Sequence, residues 1–208
     1  VSEVEFVLSD VPSSEIDRLE SFYVPLADCV RELVDATIRT TVDEDEARAV
    51  HAEVTTLVRR LRAAQIDGPA GVHVNEQGRS WSWGNAVIGR RNAAAPPLTI
   101  VHDPDGLAHC DVVLGAAAEG PPGHVHGGVT ALMLDHLMGE TASAFRRLTM
   151  TGTLTMRYRR ATPLGGLRLE ERIDREEGRK VYVVATVADA DGVTVEAEGV
   201  FIVPSWSV

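Results

Sequence analysis

The chain has little cysteine, almost no lysine and few aromatic residues, and each scarcity removes a class of chemistry. Of 208 residues two are cysteine, one is lysine, and 5% are aromatic. Cys29 and Cys110 form no CxxC or zinc spacing, which excludes a disulfide scaffold. Two reduced, buried thiols in a cytoplasmic protein are expected. A Schiff-base mechanism would have to use Lys180, which sits among Glu176, Glu177 and Arg179 in a turn-like context instead of a desolvated pocket. Positive charge is also short. Twenty Lys and Arg face 31 Asp and Glu, a formal net charge of -11, which argues against a general binder of nucleic acid. No apolar run approaches the ~20 residues that span a bilayer. Val1 to Asp10 carries Glu3, Glu5 and Asp10 and no basic residue, unlike a secretory signal.

The composition is otherwise that of a globular protein, with 44% hydrophobic and 25% charged residues. The length suits one domain with an appendage. Charge divides the chain unevenly: residues 1–67 hold 15 acidic and 7 basic side chains, against 16 and 13 in the remainder. Ile16, Leu19, Tyr23, Leu26, Val30, Leu33 and Val34 recur at steps of three and four, a helical stripe in which Pro25 is expected to kink or split the helix. Thr41-Val-Asp-Glu44 reads as a capping box. It precedes a second helix with Val50, Val54, Leu57, Val58 and Leu61 on one face, which stops near Ile66-Asp-Gly-Pro69. Residues 1–66 are therefore read as an acidic helical arm that lays its apolar stripe on another surface. Residues 67–95, rich in Gly, Asn and Pro, are read as a linker with one strand. Trp81 and Trp83 there serve either packing or a ligand site.

Residues 96–208 have a different texture. Strand-like runs cover 98–102, 108–117, 151–161, 167–175, 180–190 and 193–203, with turn sequences at Asp103-Pro-Asp-Gly106 and Asp189-Ala-Asp-Gly192. Between them, from Gly127 to Arg147, Val129, Leu132, Met133, His136, Leu137 and Glu140 keep helical spacing. This helix is apolar over most of its circumference and is expected to be buried. One buried helix among about six strands predicts an α+β architecture, an antiparallel sheet wrapped around a helix.

The chemistry concentrates in Glu119-Gly-Pro-Pro-Gly-His-Val-His-Gly-Gly128, directly before that helix. The first N–H groups of a helix lack intrahelical partners and carry partial positive charge. Glycines there let an anion, or a carbonyl oxygen turning into an oxyanion, come close. No Gly-Lys-Ser/Thr follows, so this is not a P-loop. Asp135 lies mid-helix, where a carboxylate is costly unless hydrogen-bonded, paired or functional. It is seven residues past Gly128, roughly 10 Å along the axis. A carbonyl held at the helix start cannot touch it on the same helix. Either the two features are unrelated, or two helices run antiparallel across a dimer and Asp135 of one subunit faces Gly127 and Gly128 of the other.

His126-Gly127-Gly128, with Asp135 nine residues after the histidine and Met138-Gly139 beyond it, resembles the PaaI-type hotdog-fold acyl-CoA thioesterases. So do Gly120-Pro-Pro-Gly-His-Val-His-Gly-Gly128, as in larger members with an N-terminal extension, and Thr151-Gly-Thr-Leu-Thr-Met-Arg-Tyr-Arg-Arg160 followed by Pro163-Leu164. The similarity spans roughly residues 96–204. It implies a curved antiparallel sheet around a central helix, a homodimer and often a dimer of dimers. It also implies that Gly127, with or without Gly128, supplies oxyanion donors, that His126 shapes the turn, that Asp135 is general base or nucleophile, and that Thr151 helps orient the water. Some relatives place an Asn six residues before the histidine; here Gly120 stands there.

A thioester needs no metal or other cofactor, since its carbonyl is electrophilic and its thiolate leaves readily. Oxyanion donors are worth about 3–4 kcal/mol each in known cases. Val129, Leu132, Met133 and Met138 are candidates for an acyl slot, with plain core as the alternative. Arg157, Arg159 and Arg160, with Arg146 and Arg147, are candidates for the phosphates of CoA, with surface ion pairs as the alternative. The acyl carrier is CoA or an acyl carrier protein. His102, His109, His124, His126 and His136 form no HExxH and no Cys/His cluster, so no metal site is assigned. No GxSxG elbow supports a serine hydrolase. A hotdog hydratase or dehydratase, or a non-catalytic acyl-CoA-binding scaffold dimer, stays open as a different use of the same pieces.

Overall fold

The computed structural model describes residues 7–96, 98–143 and 148–205. Arg146 and Arg147 lie outside the described residues. The chain divides into two compact units, residues 1–95 and 96–208.

In the first unit, β1 (Val7–Ser9) is followed by α1 (Ser13–Arg39), α2 (Glu44–Arg62), β2 (His73–Asn75) and β3 (Ser80–Trp81). β2 is the middle strand of a small sheet, parallel to β1 and antiparallel to β3. Pro25 does not divide α1, which continues through it for 27 residues. Glu20 of α1 is buried. Its carboxylate accepts from Trp83 Nε1 at 3.1 Å, from Arg90 at 2.7 Å and from Arg79 at 3.2 Å. A buried carboxylate is retained where donors surround it, and these donors all come from the turn-rich segment 67–95. That segment therefore packs against α1 and carries two short strands, beyond what a linker requires. The tryptophans belong to the same packing: Trp81 stacks on His73 at 5.2 Å, and Arg91 lies over the rings of Trp83 and Tyr23. Cys29 is exposed, contrary to the expected burial. It is two positions past buried Ala27 and so about 200° around the helix from it.

The cap of α2 is Asp43, two residues beyond the expected Thr41. Its carboxylate accepts the Glu46 amide at 3.0 Å. None of the residues of α2 is buried.

The second unit contains β4 (Val101–His102), β5 (Leu107–Leu114), a 3-10 turn (Ala116–Ala118), α3 (Gly127–Ala142), β6 (Met150–Tyr158), β7 (Gly165–Glu177), β8 (Lys180–Asp189) and β9 (Gly192–Ile202). The six strands form one antiparallel sheet in the order β4-β5-β7-β8-β9-β6. Period-2 alternation sets its inner face. Cys110, Val112 and Leu114, then Leu167 and Leu169, Val181, Val183 and Val187, and Val195, Ala197 and Phe201 are buried against Met133, Leu134, Leu137 and Met138 of α3. The burial is α+β layering as the patterning predicts. The last three strands run from one predicted turn to the next because Gly178 and Gly192 take positive φ at the hairpin corners.

Candidate active site

α3 is not covered all round. Gly128 and Leu132 are exposed and Asp135 and Gly139 are half-buried, an open strip at helical spacing. The strip carries the carboxylate. Thr151 Oγ1, at the start of β6, donates to Asp135 Oδ1 at 2.9 Å. The structure thus brings together two residues separated by sixteen positions. One oxygen of Asp135 is oriented by a hydroxyl while the side chain remains reachable.

The helix start is built by a stiff loop. Gly123 takes φ 74° and its amide donates to Glu119 Oε1 at 2.7 Å. His126 donates its own amide to Ala118 O at 2.9 Å, and the Val125 amide donates to Thr162 O at 2.8 Å. His126 is the N-cap of α3: its Nδ1 accepts the Gly128 amide at 2.9 Å. That contact corrects the pair of donors expected at the helix start. The Gly128 N–H is already engaged, whereas the Gly127 N–H has no acceptor among the described residues. Gly120 is packed against His126, where a Cβ would come within 2.7 Å of the His126 Cα. An asparagine therefore does not fit there without moving the N-cap.

Tyr158 was not singled out from sequence, since nothing in a β-strand pattern marks it. Its hydroxyl donates to Gly127 O at 2.9 Å, and Thr130 Oγ1 donates to the same carbonyl at 2.7 Å. With two donors on its carbonyl, Gly127 is held in place. A cavity of about 340 Å³ opens beside it, with His124, Thr130, Tyr158, Arg160 and Thr162 in its wall.

The apolar candidates separate. Leu132 is on the open strip and Val129 is partly buried. Met133 and Met138 are fully buried between α3 and the sheet, so they are core and not acyl slot. Met133 falls across the helix from Asp135, whereas Met138 lies one turn on from it, about 60° around the axis. The arginines separate too. Arg160 is bound to the Asp189 carboxylate through both terminal nitrogens and to Gly192 O at 2.8 Å, which fastens the β8–β9 turn. The Asp189 carboxyl is lowered to about 2 chiefly by that hydrogen bond. Arg160 is therefore a structural residue. Arg159 is paired with Glu196 at 2.6 Å. Arg157 lies 3.9 Å from Glu198, a loose contact on an exposed strand.

A second polar group sits behind the site. On β7, Glu171 occupies the inward position between Leu169 and Ile173 and is buried. Thr141 Oγ1 donates to its Oε1 at 2.6 Å, while Oε2 is buried without a partner. Burial pushes this carboxyl up to about 8, with Glu140 adding to the rise and the Thr141 bond opposing it. His136 Nε2 is likewise buried and 3.7 Å from Glu140 Oε2, too far for a hydrogen bond. Burial lowers the His136 pKa and keeps the ring neutral. The sequence did carry a signal for Glu171, a carboxylate interrupting an otherwise apolar alternation.

Comparison with known proteins points to one family. Residues 122–196 match the Thioesterase superfamily. The chain is 36% identical over 78 residues to the acyl-coenzyme A thioesterase THEM4 of Xenopus laevis, covering 37% of this chain and 35% of that protein. It is 32% identical over 91 residues to the acyl-coenzyme A thioesterase THEM5 of Homo sapiens, covering 42% and 37%. The match thus spans about a third of the length of these curated relatives. A crystal structure of a thioesterase superfamily protein superposes with a TM-score of 0.77 at 33% identity, over 86% of this chain and 90% of that one. With an antiparallel sheet wrapped on a glycine-started helix, and with sequence and structure similar along nearly the whole length of a solved member, the chain belongs to the thioesterase superfamily and has its hotdog fold.

Proposed function

We propose that the protein hydrolyses acyl-CoA thioesters to the free acid and CoA, in a homodimer whose two sites each join Gly127 of one protomer to Asp135 of the other. The observation that carries this reading is the Asp135 carboxylate, oriented by Thr151 on the open strip of α3. Eight residues, roughly 12 Å of helix, separate it from the Gly127 amide on the same chain. An antiparallel second α3 closes that gap. β6 supports such an arrangement. It is one of the two edge strands, paired only with β9 among the described strands, and an unpaired edge readily takes another strand. β6 also runs alongside α3, with Thr151 at Asp135 and Tyr158 at Gly127. Two β6 edges paired about a two-fold axis bring two α3 helices together antiparallel.

In this site the thioester oxygen accepts from the Gly127 N–H, where the helix start favours growing negative charge. Asp135 takes a proton from a water whose oxygen bonds to the carbonyl carbon. Collapse of the tetrahedral intermediate breaks the C–S bond, and the thiolate of CoA leaves and is protonated. Leu132 on the open strip and Val129 border the acyl chain. Arg157, the loosest of the paired arginines, reaches a CoA phosphate.

Thiol release from a panel of acyl-CoAs tests the reading. Asp135→Asn keeps the shape and the Thr151 contact but cannot accept a proton. It is expected to fold normally and to lose at least ~100-fold in kcat. A variant that turns over at the rate of the parent removes Asp135 from the chemistry. A parent that binds acyl-CoA without releasing thiol favours the scaffold reading instead.

A further inference from the structure

α2 is a capped helix of 19 residues, Glu44–Arg62, with no residue buried. Isolated helices of this length are marginal in water, and amphipathic helices owe most of their stability to a covered apolar face. This face is well defined. Ala47, Val50, Val54, Leu57 and Leu61 follow one another at steps of 3, 4, 3 and 4, the spacing of a coiled-coil seam. Val50, Leu57 and Leu61 are 39%, 49% and 52% exposed.

The charges indicate what covers it. The first turn carries Glu44, Asp45 and Glu46, and the last turn carries Arg59, Arg60 and Arg62. Laid antiparallel on a copy of itself in the register of the apolar seam, the helix sets its acidic half, 44–53, against residues 58–67 of its mate, the stretch that carries Arg59, Arg60 and Arg62, twice by symmetry. The seam then stacks Val54 on Leu57 of the second copy and Val50 on Leu61 of the second copy. In the same register the flanking Glu53 falls opposite Arg60 of the second copy, and neither residue has an ion-pair partner among the described residues. A parallel pairing would put the acidic ends together and leave Glu53 beside Val58.

We propose that α2 is a homotypic interface, pairing antiparallel about a two-fold axis with α2 of a second copy of this chain. The interface is independent of the catalytic reading and stands or falls without it.

Directed cross-linking of the full chain tests orientation and register together. In a Cys29→Ser background, one preparation carries Val54→Cys and a differently tagged one carries Leu57→Cys. The two are mixed, equilibrated at low concentration and mildly oxidised. The expected product is a disulfide-linked mixed dimer, well above the yield of either chain oxidised alone. Adding Glu53→Arg or Arg60→Glu to both chains sets like charges across the seam and is expected to lower that yield several-fold. Both reversals together restore it. A mixed yield no greater than the 54–54 yield would indicate a parallel pair or random collision. A yield indifferent to the charge reversals would remove the register. A failure of any cross-chain disulfide to form assigns the stripe to another part of the chain or to an unrelated partner. Each of these results overturns the proposal.

Discussion

Glu171 shows how much one side chain can alter the pH response of a core. Folded, it holds its proton up to about pH 8 because burial disfavours the carboxylate. Unfolded, it releases the proton near the ordinary glutamate value. Between those two pH values the folded state carries the extra proton, so stability falls as pH rises, by up to ~1.4 kcal/mol per pH unit, and the contribution is complete only below the unfolded value. His136, kept neutral by burial, acts in the opposite sense below its unfolded value and partly offsets this at the acid end. Glu171→Gln removes only the first effect. Its melting temperature, followed from pH 5 to 8.5, is expected to fall less than that of the parent, with the gap widening toward pH 8. Parallel curves would mean that Glu171 is ionised in the fold. At this scale the sequence was partly readable. Asp135 stood out as a carboxylate in an apolar helix and Thr151 through the family resemblance, while Glu171, which breaks an apolar alternation, was not singled out. Which glycine amide is free was not readable, because that depends on where the His126 ring turns.

Among the elements, α3 departs most from its pattern. It is apolar over most of its circumference, which predicts burial, yet the strip from Gly128 to Gly139 is open, while the sheet packed on its other side is tight enough to require a glycine in β9. At Gly199 of β9 a Cβ would lie 2.5 Å from Phe201 Cε2 and 2.9 Å from Met138 Cε. Gly199→Ala is therefore expected to cost about 1–3 kcal/mol, measured as a lowered urea midpoint. Gly139→Ala is the control: its nearest neighbour, Phe201 Cε1, is at 3.4 Å, an ordinary contact, and alanine favours the helix. Equal midpoints for the two variants would show that the core yields at Gly199. The helices and long strands were legible because 3.6 and 2 are local periods. The packing of residues 67–95 on Glu20 was not, because its arginine and tryptophan donors stand about sixty residues away in the chain.

For the whole molecule, the proposed site is shared, and sharing has a signature in mixtures. Gly127→Pro removes the free N–H at the first position of α3, one that proline commonly takes, and its Cβ comes within 3.2 Å of the Tyr158 ring, which has to give way slightly. The preceding His126 already has φ -62° and ψ 130°, which a following proline favours. Alone, Gly127→Pro and Asp135→Asn are each expected to be nearly inactive. When the two are co-expressed, half of the dimers are mixed and one site in each mixed dimer is intact, so about a quarter of the parent activity returns. Mixtures no more active than their components would place each site within one chain. The sequence by itself determined the α+β class, the helix that starts on glycines and its mid-helix carboxylate, since these follow from local spacing and residue type, while Thr151 was marked only by the family resemblance. Tertiary structure alone decided that Met133 and Met138 are core, that Arg160 fastens a turn, that Gly128 is capped while Gly127 is free, and that α2 and one strip of α3 remain uncovered. These depend on which distant side chains meet, and linear spacing carries no information about that.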